Sequence, residues 1–308
     1  MNTPSDSALK GHPISVEELP YDHVYAPPLQ PCGDHLNDRS YLERLYDGSL
    51  SALIVRGALS ADQLSEPVET LRRGDLPWGS PNRGMAGGEL RTLGEAATPC
   101  FTAFTGPSRD RYLESAQELA TLSQEIFADL DPVDHLADLF SELGGGVTAS
   151  PPRYQVAEEG SETSAASGAR WLPFNYRALD PGVQIYSHHD NHYRLPIYEG
   201  LSAEYDRASA LSWFVTLQAP ESGGVLTLYG LWGSDPNPPM LPTRFMDTEA
   251  LERDYHRVPL ELSAGDLLIF NSGRNVHRVT PVEGSRPRFT LGGFMTLTTQ
   301  RDRVAFWS

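Results

Sequence analysis

Cysteine is almost absent: only Cys32 and Cys100 occur among 308 residues, with no CxxC spacing. That excludes a cysteine-built zinc site and fits a reducing compartment, so a cytoplasmic location is expected. Basic residues are also scarce, with 24 Lys plus Arg against 41 Asp plus Glu and a formal net charge of −17. Such a surface repels phosphate backbones and anionic membranes, so neither is expected as a partner. No stretch approaches the roughly 18 consecutive apolar residues that a membrane-spanning helix needs. The opening MNTPSDSALKGHP has no basic segment and no apolar run, so no signal peptide is expected. What remains, 39% hydrophobic and 21% charged, suits a globular chain long enough for a full core. A small-molecule partner is the expectation, and a homodimer stays open.

Along the chain, residues 1–48 are rich in Pro, Asp and Tyr without a clear period and read as an irregular arm. Residues 49–308 read as one domain. Its helical part covers 49–156 and its strand-rich core about 170–300. Ala52-Leu53-Ile54-Val55-Arg56 looks like a buried strand, and Ser60-Ala61-Asp62-Gln63 has the spacing of a helix capping box. Leu119, Leu122, Ile126, Phe127 and Leu130 recur at helical spacing. Pro132 opens a second helix carrying Leu136, Leu139, Phe140 and Leu143, and Gly144-Gly145-Gly146 stops it. Residues 157–169 are small, polar and acidic, and predict a mobile loop, a candidate lid. Short apolar or alternating runs then follow: 171–179, 183–189, 211–217, 225–229, 266–270, 277–279 and 288–298. Ser234 to Pro242 reads as a Pro-rich insertion between strands. Helices first and strands afterwards predict an α+β fold with a jelly-roll or sandwich core.

The densest cluster of ligand-type residues is Ser187-His188-His189-Asp190-Asn191-His192. In a strand, His188, Asp190 and His192 share one face and His189 takes the other. Positions i and i+4 of an extended strand lie roughly 13 Å apart, so His188 and His192 do not share an ion unless the chain bends. Two pairs therefore stand open, His188 with Asp190 and Asp190 with His192. Each needs a third ligand, and His277 offers one after the apolar run Leu267–Phe270. Two histidines and a carboxylate on one face of a metal suit a non-heme iron(II) oxygenase. Arg288, further on, is a permanently charged fork for a carboxylate.

His188-x-Asp190, then His277, then Arg288-x-Thr290 resembles the Fe(II)/2-oxoglutarate-dependent oxygenase superfamily in its prolyl-hydroxylase-like branch. Gly223-Gly224-Val225-Leu226 and Ala264-Gly265-Asp266 resemble further pieces of that branch. The likeness covers about residues 171 to 298. It implies a double-stranded β-helix (jelly-roll) core with N-terminal helices packed on it, and the cofactors Fe(II), 2-oxoglutarate and O2. The family's order of histidine before aspartate selects His188, Asp190 and His277 as metal ligands. It also implies Arg288 and Thr290 for the distal carboxylate of 2-oxoglutarate, with Asn175 and Tyr176 as further contacts. In related halogenases a small residue replaces the carboxylate and leaves room for chloride. Asp190 therefore implies hydroxylation, or desaturation or ring closure such as cyclopropane formation.

Substrate contacts are expected among Arg177, Tyr186, His192, Tyr193, Arg194 and Trp213. By family analogy the substrate is an amino acid or an amino-acid-derived intermediate of natural-product biosynthesis. His189 reads as a packed residue, and His12, His23, His35, His135 and His256 as surface or satisfied histidines. Two other classes compete: a non-catalytic metal-binding jelly roll, and a metallohydrolase built on the histidine-rich run. The first has no use for an intact Arg288, and the second requires neither Arg288 nor the glycine-paired strand.

Overall fold

The local signals build the helical layer much as the sequence predicts. The structure, a computed structural model, describes residues 9–25, 39–73, 75–79, 86–94, 107–154, 168–190, 198, 200–207 and 210–308. From the N-terminus come β1 (Val16–Pro20), α1 (Tyr21–Val24), α2 (Tyr41–Asp47), β2 (Ala52–Arg56) and α3 (Ala61–Arg72). A short pair, β3 (Ala86–Gly87) and β4 (Leu90–Leu93), precedes the long helices α4 (Pro107–Phe127) and α5 (Pro132–Leu143). The capping box forms: Ser60 Oγ accepts the Gln63 N–H at 3.3 Å, and Gln63 Oε1 accepts the Ser60 N–H at 2.8 Å. Asp131 caps α5 by accepting the N–H groups of Val133 and Asp134, with Pro132 at the first helical position.

Strands then dominate. They are β5 (Thr148–Ser150), β6 (Asn175–Leu179), β7 (Gln184–His188), β8 (Leu211–Gln218), β9 (Ser222–Gly223) and β10 (Leu226–Trp232). After α6 (Thr248–Asp254) come β11 (Arg257–Leu260), β12 (Leu267–Phe270), β13 (Asn275–Val279), β14 (Val282–Glu283), β15 (Arg288–Leu297) and β16 (Arg303–Trp307). The larger sheet runs β1-β2-β12-β8-β15-β16-β5, with β6 on β15 and β4 on β6; the smaller runs β11-β10-β13-β7-β3. Successive core strands alternate between the sheets: β6 large, β7 small, β8 large, β10 and β11 small, β12 large, β13 small, β15 large. That winding is a double-stranded β-helix, and the fold is α+β.

Each strand of the larger sheet has two destinations. Trp213, Val215 and Leu217 of β8 join Leu119, Leu139 and Phe140 in a core between sheet and helices. The opposite face looks into the jelly roll, where Leu268, Phe270, Leu226 and Leu228 form a second core. The polar site residues lie on that inner face.

Three expectations need correction. The N-terminal arm is not irregular throughout, because β1 adds parallel to β2 at the sheet edge and α2 carries its own capping box. The acidic Glu17 and Glu18 hide β1 in the sequence; they pair with Arg44 and Arg56, which the sequence places far away. The strand expected from Trp171 begins at Asn175, since Pro173 has no N–H to give and Trp171, Leu172 and Phe174 fill the helix-side core. The C-terminal β16 pairs with β15 beyond the region read as core. Residues 157–167 of the expected loop, and both cysteines, lie outside the described residues. Among the described residues no helix is long and apolar enough to cross a membrane.

Candidate metal centre

β7 and β13 run antiparallel with His188 directly opposite His277. The register between them slips: His277 and Val279 on one strand face His188 and Ile185 on the other. This bulge adds a residue to β7, so that Ile185 packs on the inner core while His188 also comes inward. The two imidazole centroids are 4.3 Å apart. His188 Nδ1 donates to the Tyr186 carbonyl at 2.6 Å and His277 Nδ1 to the Asn275 carbonyl at 3.0 Å. Both rings thus spend Nδ1 on backbone and turn Nε2, with its lone pair, toward one point.

Asp190 follows the end of β7. Its N–H is fixed by the Ser272 carbonyl at 2.9 Å, and its carboxylate lies 3.7 Å from His188 Nε2 and 3.8 Å from His277 Nε2. One ligand atom from each of the three lies within 4.8 Å of the others. Burial, and then the neighbouring His188, lower the His277 pKa to about 4, so this imidazole is neutral at physiological pH. Neutral imidazoles and an ionised carboxylate are the forms a metal ion requires. The donor set fits iron(II).

Deeper in the roll, Arg288 is 5% exposed and its guanidinium lies 4.8 Å from the Phe214 ring centre. No carboxylate among the described residues pairs with it. Burial, and then Arg177, draw its pKa down to about 10, so it keeps its charge at neutral pH. An uncompensated buried cation is costly and suits an anion yet to arrive. Gly224 lets the chain pass close: with φ of +60°, a Cβ there would lie 3.2 Å from Arg288 Cδ. Along β15, Arg288, Thr290 and Gly292 face the same way. Thr290 lies opposite Arg177 of β6 and Thr216 of β8. Thr216 Oγ1 and Asn175 Nδ2 are buried without a hydrogen-bond partner among the described residues. These unpartnered polar atoms and the uncompensated Arg288 are a donor set that fits an acid such as 2-oxoglutarate.

The remaining candidates divide. Asn175 lies on the inner face opposite Gly292, accepting from Arg177 Nε at 3.1 Å. Tyr176 points the other way: its hydroxyl donates to Ser123 Oγ at 3.1 Å in the helix-side core, where it reaches no cosubstrate. Trp213 also faces the helices, 5.0 Å from Phe140, with Nε1 donating to the Phe294 carbonyl. Tyr186 sits on the outer side of the bulged strand against Phe245, 5.3 Å away. His192, Tyr193 and Arg194 lie outside the described residues. His189 packs against Gly233, where a Cβ would lie 2.4 Å from the ring. Sequence reasoning missed Ser212, Thr216 and Ser272, common residue types that only strand pairing brings here. A separate cavity of about 840 Å³ lies between α4 and β4, lined by Leu93, Ser115, Glu118 and Leu122, and holds none of this chemistry.

The family model described as the carrier-protein-independent halogenase WelO5 matches residues 31–308. No curated protein sequence matches the chain. Among solved structures, an N-substituted L-amino acid dioxygenase from Burkholderia ambifaria, in complex with α-ketoglutarate, is 14% identical with a TM-score of 0.49. The match covers 86% of this chain and 90% of that one. The epimerase SnoN, bound to Fe3+, α-ketoglutarate and nogalamycin RO, is 17% identical over 87% of this chain and 86% of its own, TM-score 0.46. A Pseudomonas putida prolyl-4-hydroxylase is 15% identical over 82% of this chain and 97% of its own, TM-score 0.37.

Proposed function

The chain belongs to the family of the carrier-protein-independent halogenase WelO5, within the Fe(II)/2-oxoglutarate-dependent oxygenases, and from that premise we propose that it hydroxylates an unactivated C–H bond of a small carboxylate-bearing molecule. The observation that carries the choice of hydroxylation is Asp190. Its carboxylate stands with His188 and His277 as the third converging donor. A halogenase of this chemistry needs that place empty for a halide, and here a fixed anion fills it.

Iron with 2-oxoglutarate and O2 supplies the oxidising power, and the chain supplies position and charge. His188, Asp190 and His277 hold the metal by one face. Arg288, assisted by Thr290, grips the far carboxylate of the cosubstrate. Arg177 adds a second guanidinium on the same inner face. It has no carboxylate partner among the described residues; burial lowers its pKa and the field of Asp190 opposes that shift. Two guanidiniums and a divalent metal face one protein carboxylate, so the dianionic cosubstrate leaves positive charge over. A substrate carboxylate, such as that of an amino acid or a derivative, balances it.

Protein, Fe(II) and 2-oxoglutarate under air should release succinate, and a panel of amino acids and N-substituted amino acids should raise that release. Arg177→Gln should raise the KM of the accepted acid and spare that of 2-oxoglutarate. Stimulation of succinate release by the corresponding amides as strong as by the acids would contradict the substrate class. Halogenation is the second reading, favoured by the matched family's description. A chlorinated product formed in the presence of chloride would establish it.

A further inference from the structure

The two oxygens of Asp190 are not equivalent. Oδ1 lies 3.7 Å from His188 Nε2 and Oδ2 lies 3.8 Å from His277 Nε2, so both face the imidazoles, but only Oδ2 accepts a hydrogen bond from Ser212 Oγ, at 2.9 Å. Ser212 Oγ is also 2.7 Å from Ser272 Oγ. Ser212 Oγ is the donor toward both Asp190 Oδ2 and Ser272 Oγ, so its single hydrogen is shared between the carboxylate and the second serine. Both serines are buried, Ser272 completely, and the Ser272 carbonyl holds the Asp190 N–H. The aspartate is therefore fixed at its backbone and at one oxygen by two residues of neighbouring strand ends.

A carboxylate can hold a metal through one oxygen or through both. With two imidazoles and one carboxylate oxygen, an octahedral ion keeps three positions, enough for a two-toothed 2-oxoacid and one O2. With both carboxylate oxygens engaged, only two positions remain and the 2-oxoacid fills them. We propose that Ser212 is a positioning residue that withholds Oδ2 from the metal and so keeps the O2 position open. This rests on the Fe(II)/2-oxoglutarate reading above. It has an unusual sign: losing the hydroxyl frees a second ligand oxygen, so the metal is held no less tightly while access by a diatomic gas falls.

The test compares wild type, Ser212→Ala, Ser272→Ala and Ser212→Thr in three titrations. These are Co(II) binding to the metal-free protein, 2-oxoglutarate binding to the metal-loaded protein, and nitric oxide binding to the Fe(II)–2-oxoglutarate complex without O2. Ser212→Ala should keep Co(II) affinity within about threefold and lose roughly tenfold or more in nitric oxide affinity, as for one charge-assisted hydrogen bond. Ser272→Ala, which keeps the Ser212 hydroxyl and the backbone bond to Asp190, should show no loss, and Ser212→Thr, which keeps the hydroxyl, should bind as wild type does. Unchanged nitric oxide affinity in Ser212→Ala overturns the proposal, as does a Co(II) affinity weakened in step with it, the mark of a merely misplaced aspartate. The wild-type titrations separate the two claims: failure of wild type to bind 2-oxoglutarate at the metal defeats the functional reading itself.

Discussion

Replacing Arg288 by lysine keeps a cation and removes the fork. Arg288 is 5% exposed, lies over the Phe214 ring, and has no carboxylate partner among the described residues. A planar guanidinium meets a carboxylate through two parallel N–H donors, while an ammonium meets it as a point charge. Losing one of those two bonds costs about 1.5–3 kcal/mol, which is roughly a ten- to hundredfold rise in the Kd of 2-oxoglutarate. A pH effect accompanies it. Burial and the nearby Arg177 lower the Arg288 pKa to about 10, and the same surroundings push a lysine below its ordinary value. Only the protonated lysine attracts the carboxylate, so its contribution is present below that lowered pKa and is lost as pH rises through it. The Arg288→Lys Kd should therefore climb on the alkaline side at a pH where the wild-type Kd is still flat. Titration of 2-oxoglutarate into metal-loaded protein without O2, followed by its charge-transfer absorption, measures both. Arg286 is the control: it is exposed and donates to the Pro220 carbonyl. Arg286→Lys should change nothing. A raised Kd in Arg286→Lys beside a normal one in Arg288→Lys would refute the assignment.

His188→Ala, Asp190→Ala and His277→Ala should each abolish turnover and sharply weaken Fe(II) binding, since an open three-donor site has no spare ligand. His192→Ala should retain the metal; the reverse pattern for His188 and His192 in a metal titration would move the site. Phe140→Ala removes a fully buried ring that packs on Trp213 and Phe306 at 5.0 and 5.2 Å. It should cost about 3–5 kcal/mol and lower Tm by roughly 10 °C, while the folded protein still binds metal.

The parts of this molecule that were legible in its sequence are those whose partners are near in the chain or are rare residue types. Ser60 and Gln63 cap a helix three positions apart, and Asp131 with Pro132 starts another. Histidine and aspartate are informative because few structural roles place them together on a strand. The strand alternation that groups residues by face failed at β7, where the bulge between Ile185 and His188 reverses the face and sends Tyr186 outward. Tyr176 and Trp213 look like site residues by proximity in sequence, yet each belongs to the parity that faces the helices. Ser212 and Ser272 were invisible because a serine signals nothing until pairing across two strands brings it to Asp190. β1 was hidden because Glu17 and Glu18 are tolerated there only through Arg44 and Arg56.

Under the proposed function the site inserts oxygen, whereas the matched family model is described as a halogenase. An accepted substrate incubated with Fe(II), 2-oxoglutarate and isotopically labelled O2, in buffer rich in chloride, tests it by product mass. Hydroxylation predicts succinate in step with a product carrying one labelled oxygen atom, and no chlorinated product at any chloride concentration. A product carrying chlorine, with Asp190 intact, would contradict it.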